Sequence, residues 1–191
     1  MSTFVYNLEE YATREILNGK EFWMSPKAST EHNRISNNIS RIFNNYLWGK
    51  KCEMFDNVEV FLTKKDTVVP DVIVVCNPEI IKHKGIYGTP ELIVEILSPS
   101  TTKHDTGYKK DLYERCGVAE YWIVDPANLT ISVYLLKEDR YYLDNVYVKH
   151  DEDWIARTTQ ENRDAIIYEF KTTIFDDLII KVEDVFHNVK F

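Results

Sequence analysis

Apolar and polar positions alternate in three different ways along the chain. Residues 7–17 read as a helix, with Asn7 as N-cap and Glu9 and Glu10 in the first turn, where the helix dipole favours acids. Asn18-Gly19 closes that segment, and Glu21-Phe22-Trp23-Met24 reads as a short strand stopped by Ser25-Pro26. A second helix should begin near Ser29 or Thr30. Ile35, Ile39, Ile42, Phe43 and Tyr46 then recur at helical spacing, and Gly49 lies just past its end.

The centre of the chain turns to β. Val58, Val60 and Leu62 alternate with Glu59 and Phe61, and Lys64-Lys65-Asp66 makes a turn. The β-branched run Val72-Ile73-Val74-Val75 suits a central strand, with Pro70 at its entrance because proline cannot donate to a ladder. Leu92 to Leu97 and Glu120 to Asp125 read as two further buried strands, ended by Ser98-Pro99 and by Pro126. Between them, Tyr108, Leu112, Tyr113 and Cys116 share one helical face, and Gly117 is a natural residue to follow the helix. Residues 130–136 and 140–148 predict a hairpin, and the stretch from Thr173 to Phe186 predicts short strands and a last helical turn. Strands in the middle with helices before and after them point to an α/β fold, a central mixed sheet flanked by helices.

At 191 residues the chain has the length of one domain, so 1–191 is expected to form a single unit. Hydrophobic residues make up 44% and charged residues 28%, a balance that supports a globular core without staples. No apolar run is long enough to span a bilayer, and the first residues lack the basic-then-apolar order of a signal peptide. A cytoplasmic protein is expected. Cys52, Cys76 and Cys116 form no C-x-x-C pair, so reduced, mostly buried thiols are expected. The net charge of −8 argues against a protein that coats nucleic acid by bulk charge. It leaves room for a carboxylate-rich site that takes a metal.

Two acids interrupt apolar strands: Asp71 heads Val72–Val75, and Glu95 sits inside Leu92–Leu97. A carboxylate in a buried strand is costly unless it is paired or binds a metal. For either alone, a salt bridge or an exposed strand face is the simpler reading. For both, on adjacent candidate strands, a shared Mg²⁺ or Mn²⁺ is favoured, since such an ion needs few carboxylates besides water and phosphate. Lys109 follows Asp105 by four residues. The pair could lie on a solvent face, or the ammonium could reach the metal pocket and stabilise charge on a phosphoryl group. Glu31 and His32, in the first turn of the second helix, could line the same cleft. Lys82, His83, Lys84, Lys103 and His104 make a basic pair of loops that could contact phosphates.

These residues lie in a longer pattern. Val69-Pro70-Asp71-Val72, then Pro90 to Thr101, then Asp105-x-x-x-Lys109-x-x-x-Tyr113-x-x-x-Gly117-Val118 and Glu120 to Pro126 resemble the Uma family of putative restriction endonucleases. Asn18-Gly19-Lys20-Glu21, Met24-Ser25-Pro26 and His32 resemble its N-terminal part, and Thr173 to Phe186 its close. The resemblance implies a restriction-endonuclease-like core of the PD-(D/E)XK type, with Asp71 and Glu95 as metal ligands and catalytic acids. The place of that motif's lysine is taken by Leu97, so the resemblance implies a lysine moved to the next helix, Lys109. Asp105, Lys103 and Tyr113 would then support the site or meet substrate. The expected activity is Mg²⁺- or Mn²⁺-dependent hydrolysis of phosphodiester bonds in DNA, with RNA as a possible substrate. By analogy with enzymes that cut two strands, a homodimer is expected, its interface on the tyrosines of the late hairpin. One alternative is an inactive nuclease fold that binds nucleic acid or protein. Another is a metal-independent two-carboxylate enzyme such as a glycosidase.

Overall fold

The computed structural model describes residues 14–23, 28–98, 102 and 104–189. The chain opens on a hairpin, β1 (Arg14–Leu17) with β2 (Lys20–Trp23), joined by Asn18-Gly19. Both turn residues have positive φ, 52° and 73°. That is the conformation a two-residue hairpin turn requires and Asn-Gly readily adopts. The helix expected over 7–17 is therefore not formed at 14–17, and 7–13 lie outside the described residues. Asn-Gly serves helix ends and hairpins alike, and the turn chemistry decided for the hairpin.

Helix α1 (Thr30–Leu47) is capped by Ser29, whose hydroxyl accepts from the His32 amide at 3.1 Å. Then come β3 (Glu53–Asp56), β4 (Val60–Phe61), β5 (Thr67–Val68) and β6 (Val72–Val75). A small hairpin of β7 (Ile81–Lys82) and β8 (Gly85–Ile86) lies in a stretch whose turn residues had hidden it. Strand β9 (Leu92–Ile96) leads to a π-helical turn at His104–Lys109 that runs into α2 (Lys110–Cys116). Gly117, with φ 79°, ends α2 in the left-handed region. Strands β10 (Glu120–Asp125), β11 (Thr130–Lys137) and β12 (Arg140–Val148) follow. Short helices α3 (Glu152–Arg157) and α4 (Gln160–Asp164), strands β13 (Glu169–Lys171) and β14 (Ile179–Lys181), and α5 (Val182–Val185) complete the order.

The central sheet has the order β12-β11-β10-β9-β6-β3. It is mixed: β9 and β10 are parallel, joined by the crossover through α2, and the other pairs are antiparallel. Even-numbered residues of β6, β9 and β10, such as Val72, Val94 and Trp122, pack on Ile35, Ile39 and Phe43 of α1 and on α5. Odd-numbered residues, such as Ile73, Ile93 and Tyr121, pack on Leu112 and Tyr113 of α2. They also meet Leu17 and Val68 of a second sheet, ordered β2-β1-β5-β4-β8-β7. The expected architecture is present, with this second sheet as an addition that the short strands did not announce.

Two expectations are corrected. Cys52 and Cys76 form a disulfide, leaving Cys116 free. Glu53 pairs with Val75, so the two cysteines fall one step further along the same antiparallel pair; spacing along the chain does not reveal this. The tyrosines of the β11–β12 hairpin mostly turn inward. Tyr134 and Tyr141 pack around Tyr121, and Tyr147 stacks on Phe170 at 4.1 Å. Tyr142, Leu143 and Val146 are the exposed apolar residues of that hairpin. Among the described residues no helix is long and apolar enough to cross a membrane.

Candidate active site

Strands β6 and β9 pair Val72 with Val94, so the next step brings Asp71 opposite Glu95. Glu95 lies on the odd-numbered face, towards α2. Asp71 Oδ2 accepts from the Ile96 amide at 2.7 Å, across the two strands. Its Oδ1 stands 3.2 Å from His32 Nε2. His32 reaches it from the first turn of α1, so α1, β6 and β9 meet here. Burial opposes protonation of His32, but Asp71, the Ile96 backbone and Asp105 outweigh it, and the imidazole pKa is raised. Its Nδ1 is buried and has no hydrogen-bond partner among the described residues.

Glu95 is 3% exposed. Its Oε1 accepts from Lys109 Nζ at 3.0 Å and from the Tyr113 hydroxyl at 2.6 Å. Lys109 is 1% exposed and touches two more carboxylates, Glu15 Oε1 at 2.8 Å and Asp105 Oδ1 at 3.2 Å. The Asp105 contact is an ion pair without hydrogen-bond alignment. Burial raises the Glu95 pKa, Lys109 pulls it down, and Asp105, Asp71 and Glu15 push it up; the outcome is well above the usual carboxylate range. Burial works against the Lys109 charge, yet Glu95, Glu15 and Asp105 together hold its pKa well above the ordinary value. Burial and the neighbouring carboxylates likewise hold Tyr113 as a neutral phenol.

The helix explains why these groups converge. Asp105, Lys109 and Tyr113 are spaced by four, one row along the π-turn and α2. The Tyr121 hydroxyl donates to the Asp105 carbonyl at 3.0 Å and fixes the turn to β10. The structure thus brings together Asp71, Glu95, Lys109, His32, Asp105 and Tyr113. It does not draw Glu31 in, which accepts from Thr30 and Arg34 at the start of α1. Lys103 lies outside the described residues, and Lys82, His83 and Lys84 form the exposed tip of the β7–β8 hairpin.

Glu15 belongs to the cluster and was not foreseen. It is 3% exposed, and its Oε1 also accepts from the Val69 amide at 2.9 Å. The signal was present: Asn18-Gly19 flanked by two four-residue runs reads as a hairpin, and Glu15 and Leu17 then share its inner face.

The family model described as "Uma2: Putative restriction endonuclease" matches residues 6–164. The chain belongs to the Uma2 family. An uncharacterized protein of Synechocystis is 34% identical over 115 residues, covering 58% of this chain and 60% of that protein. The match therefore spans less than two thirds of that relative. A crystal structure described as a putative nuclease belonging to DUF820, from Anabaena variabilis, superposes with a TM-score of 0.68. It covers 91% of this chain and 89% of its own at 18% identity, so it speaks for the fold alone. That fold is the mixed sheet with flanking helices described above.

Proposed function

We propose that this Uma2 protein is a divalent-metal-dependent endonuclease that hydrolyses phosphodiester bonds in DNA. The observation that carries the reading is the cross-strand placement of Asp71 against Glu95, with the Lys109 ammonium on Glu95. Lys109 stands in for the missing lysine at Leu97, and this favours an active enzyme over an inert nuclease fold.

The residues present fit a cation of the Mg²⁺ or Mn²⁺ kind. Asp71, Glu95, Asp105 and Glu15 are four carboxylates around one lysine and one histidine, a surplus of negative charge in a buried setting. Among the described residues no three His, Cys, Asp or Glu side chains form a ready-made cage. Mg²⁺ does not need one, because it keeps several waters and takes one or two carboxylates with substrate phosphate. Asp71 and Glu95 would hold it. When bound, it would polarise a phosphoryl oxygen and make a bound water more acidic.

The chain's own groups have distinct tasks in this reading. The Ile96 amide orients Asp71, and Tyr113 orients Glu95. Lys109 supplies a fixed positive charge beside the pair, where charge develops on the phosphoryl oxygens. His32, 3.2 Å from Asp71 Oδ1, would hold that carboxylate in place from α1. The reading also takes the protein to be cytoplasmic and to act as a homodimer, since two strands need two cuts.

The test is cleavage of plasmid DNA with Mg²⁺, Mn²⁺ or chelator. Wild type should cut only with metal, and Asp71→Ala should not cut. Lys109→Met keeps the apolar stem and removes the charge; it should bind metal yet lose on the order of a hundredfold in rate. Metal-independent cleavage, or equal cleavage by Asp71→Ala, would remove the proposal.

A further inference from the structure

Lysine has three N–H donors. On Lys109 the ammonium sits among three carboxylates and is closed off from solvent. The nearest of the three is Glu15 at 2.8 Å, nearer than Glu95 at 3.0 Å. Glu15 comes from β1 in the second sheet, not from the strands that carry Asp71 and Glu95. Its Oε1 is also held by the Val69 amide, two residues before Asp71. One oxygen therefore ties Lys109 to the strand entrance that sets Asp71.

Resting on the two-carboxylate reading above, we propose that Glu15 is a positioning residue, the second seat of the Lys109 ammonium. When Glu95 is drawn towards a divalent cation, its share of Lys109 must weaken, because one carboxylate then serves two positive charges. A buried ammonium that loses a partner is strongly disfavoured unless another carboxylate holds it. Asp105 shares Lys109's own helix, and its oxygen is not aligned for a hydrogen bond. Glu15 is fixed from a separate element, lies nearest to the ammonium at 2.8 Å, and has its oxygen held by the Val69 amide. It keeps the ammonium charged and in place, and so lowers the competition between Lys109 and the cation for Glu95.

Glu15 and Lys109 are thus coupled in metal binding, although Glu15 need not touch the metal. Mn²⁺ affinity, read from the electron paramagnetic resonance signal of free Mn²⁺, tests this on five folded proteins. They are wild type, Asp71→Ala, Glu15→Gln, Lys109→Met and the Glu15→Gln/Lys109→Met double variant. Glutamine keeps an oxygen for the Val69 amide and removes only the charge, so the hairpin should stand. In Glu15→Gln, Lys109 leans harder on Glu95, and Mn²⁺ should bind about three- to tenfold more weakly. Lys109→Met frees Glu95 and should bind Mn²⁺ more tightly than wild type. In the Lys109→Met background, adding Glu15→Gln should change affinity by about twofold or less. Equal losses in both backgrounds would make Glu15 a direct or long-range contributor to the metal and overturn the proposal. No loss in wild type would overturn it too. If Glu15→Gln does not fold, the comparison passes to Glu15→Asp, whose shorter reach should weaken Mn²⁺ only while Lys109 is present. Unchanged binding in Asp71→Ala would instead overturn the metal reading itself, and this inference with it.

Discussion

Asp66 has no part in the proposed chemistry, yet through Tyr108 it pins the turn that carries Lys109. Its carboxylate accepts from the Asn18 amide at 2.7 Å, the Thr63 hydroxyl at 2.6 Å and the Tyr108 hydroxyl at 2.8 Å. It thereby ties the β1–β2 turn, the β4–β5 turn and the π-helical turn together. Burial raises its pKa, but the three hydrogen bonds favour the charged form more, and the net shift is downward. A depressed carboxylate adds stability above its unfolded value, near 3.8, and loses it as pH falls through the lower folded value. Wild type should therefore be more stable than Asp66→Asn at pH 7, and the gap should close as the pH falls below about 4. Urea unfolding of both proteins between pH 7 and pH 2.5 reads this, and a gap that stays constant would contradict it. At this scale the sequence was informative where a charge broke an apolar pattern, as Asp71 and Glu95 do. Glu15 was missed because the expected helix over 7–17 masked the Asn18-Gly19 hairpin, whose inner face it shares with Leu17.

Elements differ in how far local pattern decides them. Helix α1 and strands β6, β9 and β10 follow from periodicity because each buries one or both faces. The hairpin β1–β2 and the two-residue strands β4, β5, β7 and β8 do not, because they are too short to show a period and their places in the second sheet rest on the distant pairings of β1 with β5 and β4 with β8. The close of the chain is attached in a similar non-local way. Glu120 of β10 is fully buried and accepts from the Trp122 indole at 2.6 Å, from the Thr173 amide at 2.7 Å and from the hydroxyls of Thr172 and Thr173. It is satisfied by four neutral donors, and it joins the sheet to the segment after β13. Glu120→Ala would leave those donors unpaired, and we expect a loss of about 3 kcal/mol of stability in denaturant unfolding. Trp122, on the same side, packs towards α1 rather than towards Lys109, so Mn²⁺ affinity should be unchanged. A neutral substitution would show that this segment is held by its apolar contacts alone.

For the whole molecule, the fold and the Uma2 membership were legible in the central block of sequence. The second sheet, the Cys52–Cys76 bond and the inward tyrosines were not, since each is set by register between distant segments. The inward tyrosines move the proposed dimer contact to the edge strand β12, where Tyr142 and Leu143 are 52% exposed and Val146 is 41% exposed. Light scattering should report a dimer for wild type and a monomer for Leu143→Glu, while a monomeric wild type at micromolar concentration would end that part of the account. Either result leaves the site within one subunit, because Asp71, Glu95, Lys109 and Glu15 all come from one chain. The central claim is that Asp71 and Glu95 hold one divalent cation beside Lys109. Anomalous scattering from crystals soaked in Mn²⁺ tests it most directly. The account predicts a peak within about 2–2.5 Å of a carboxylate oxygen of both Asp71 and Glu95. A peak elsewhere in the molecule, with none at this pair, would contradict it.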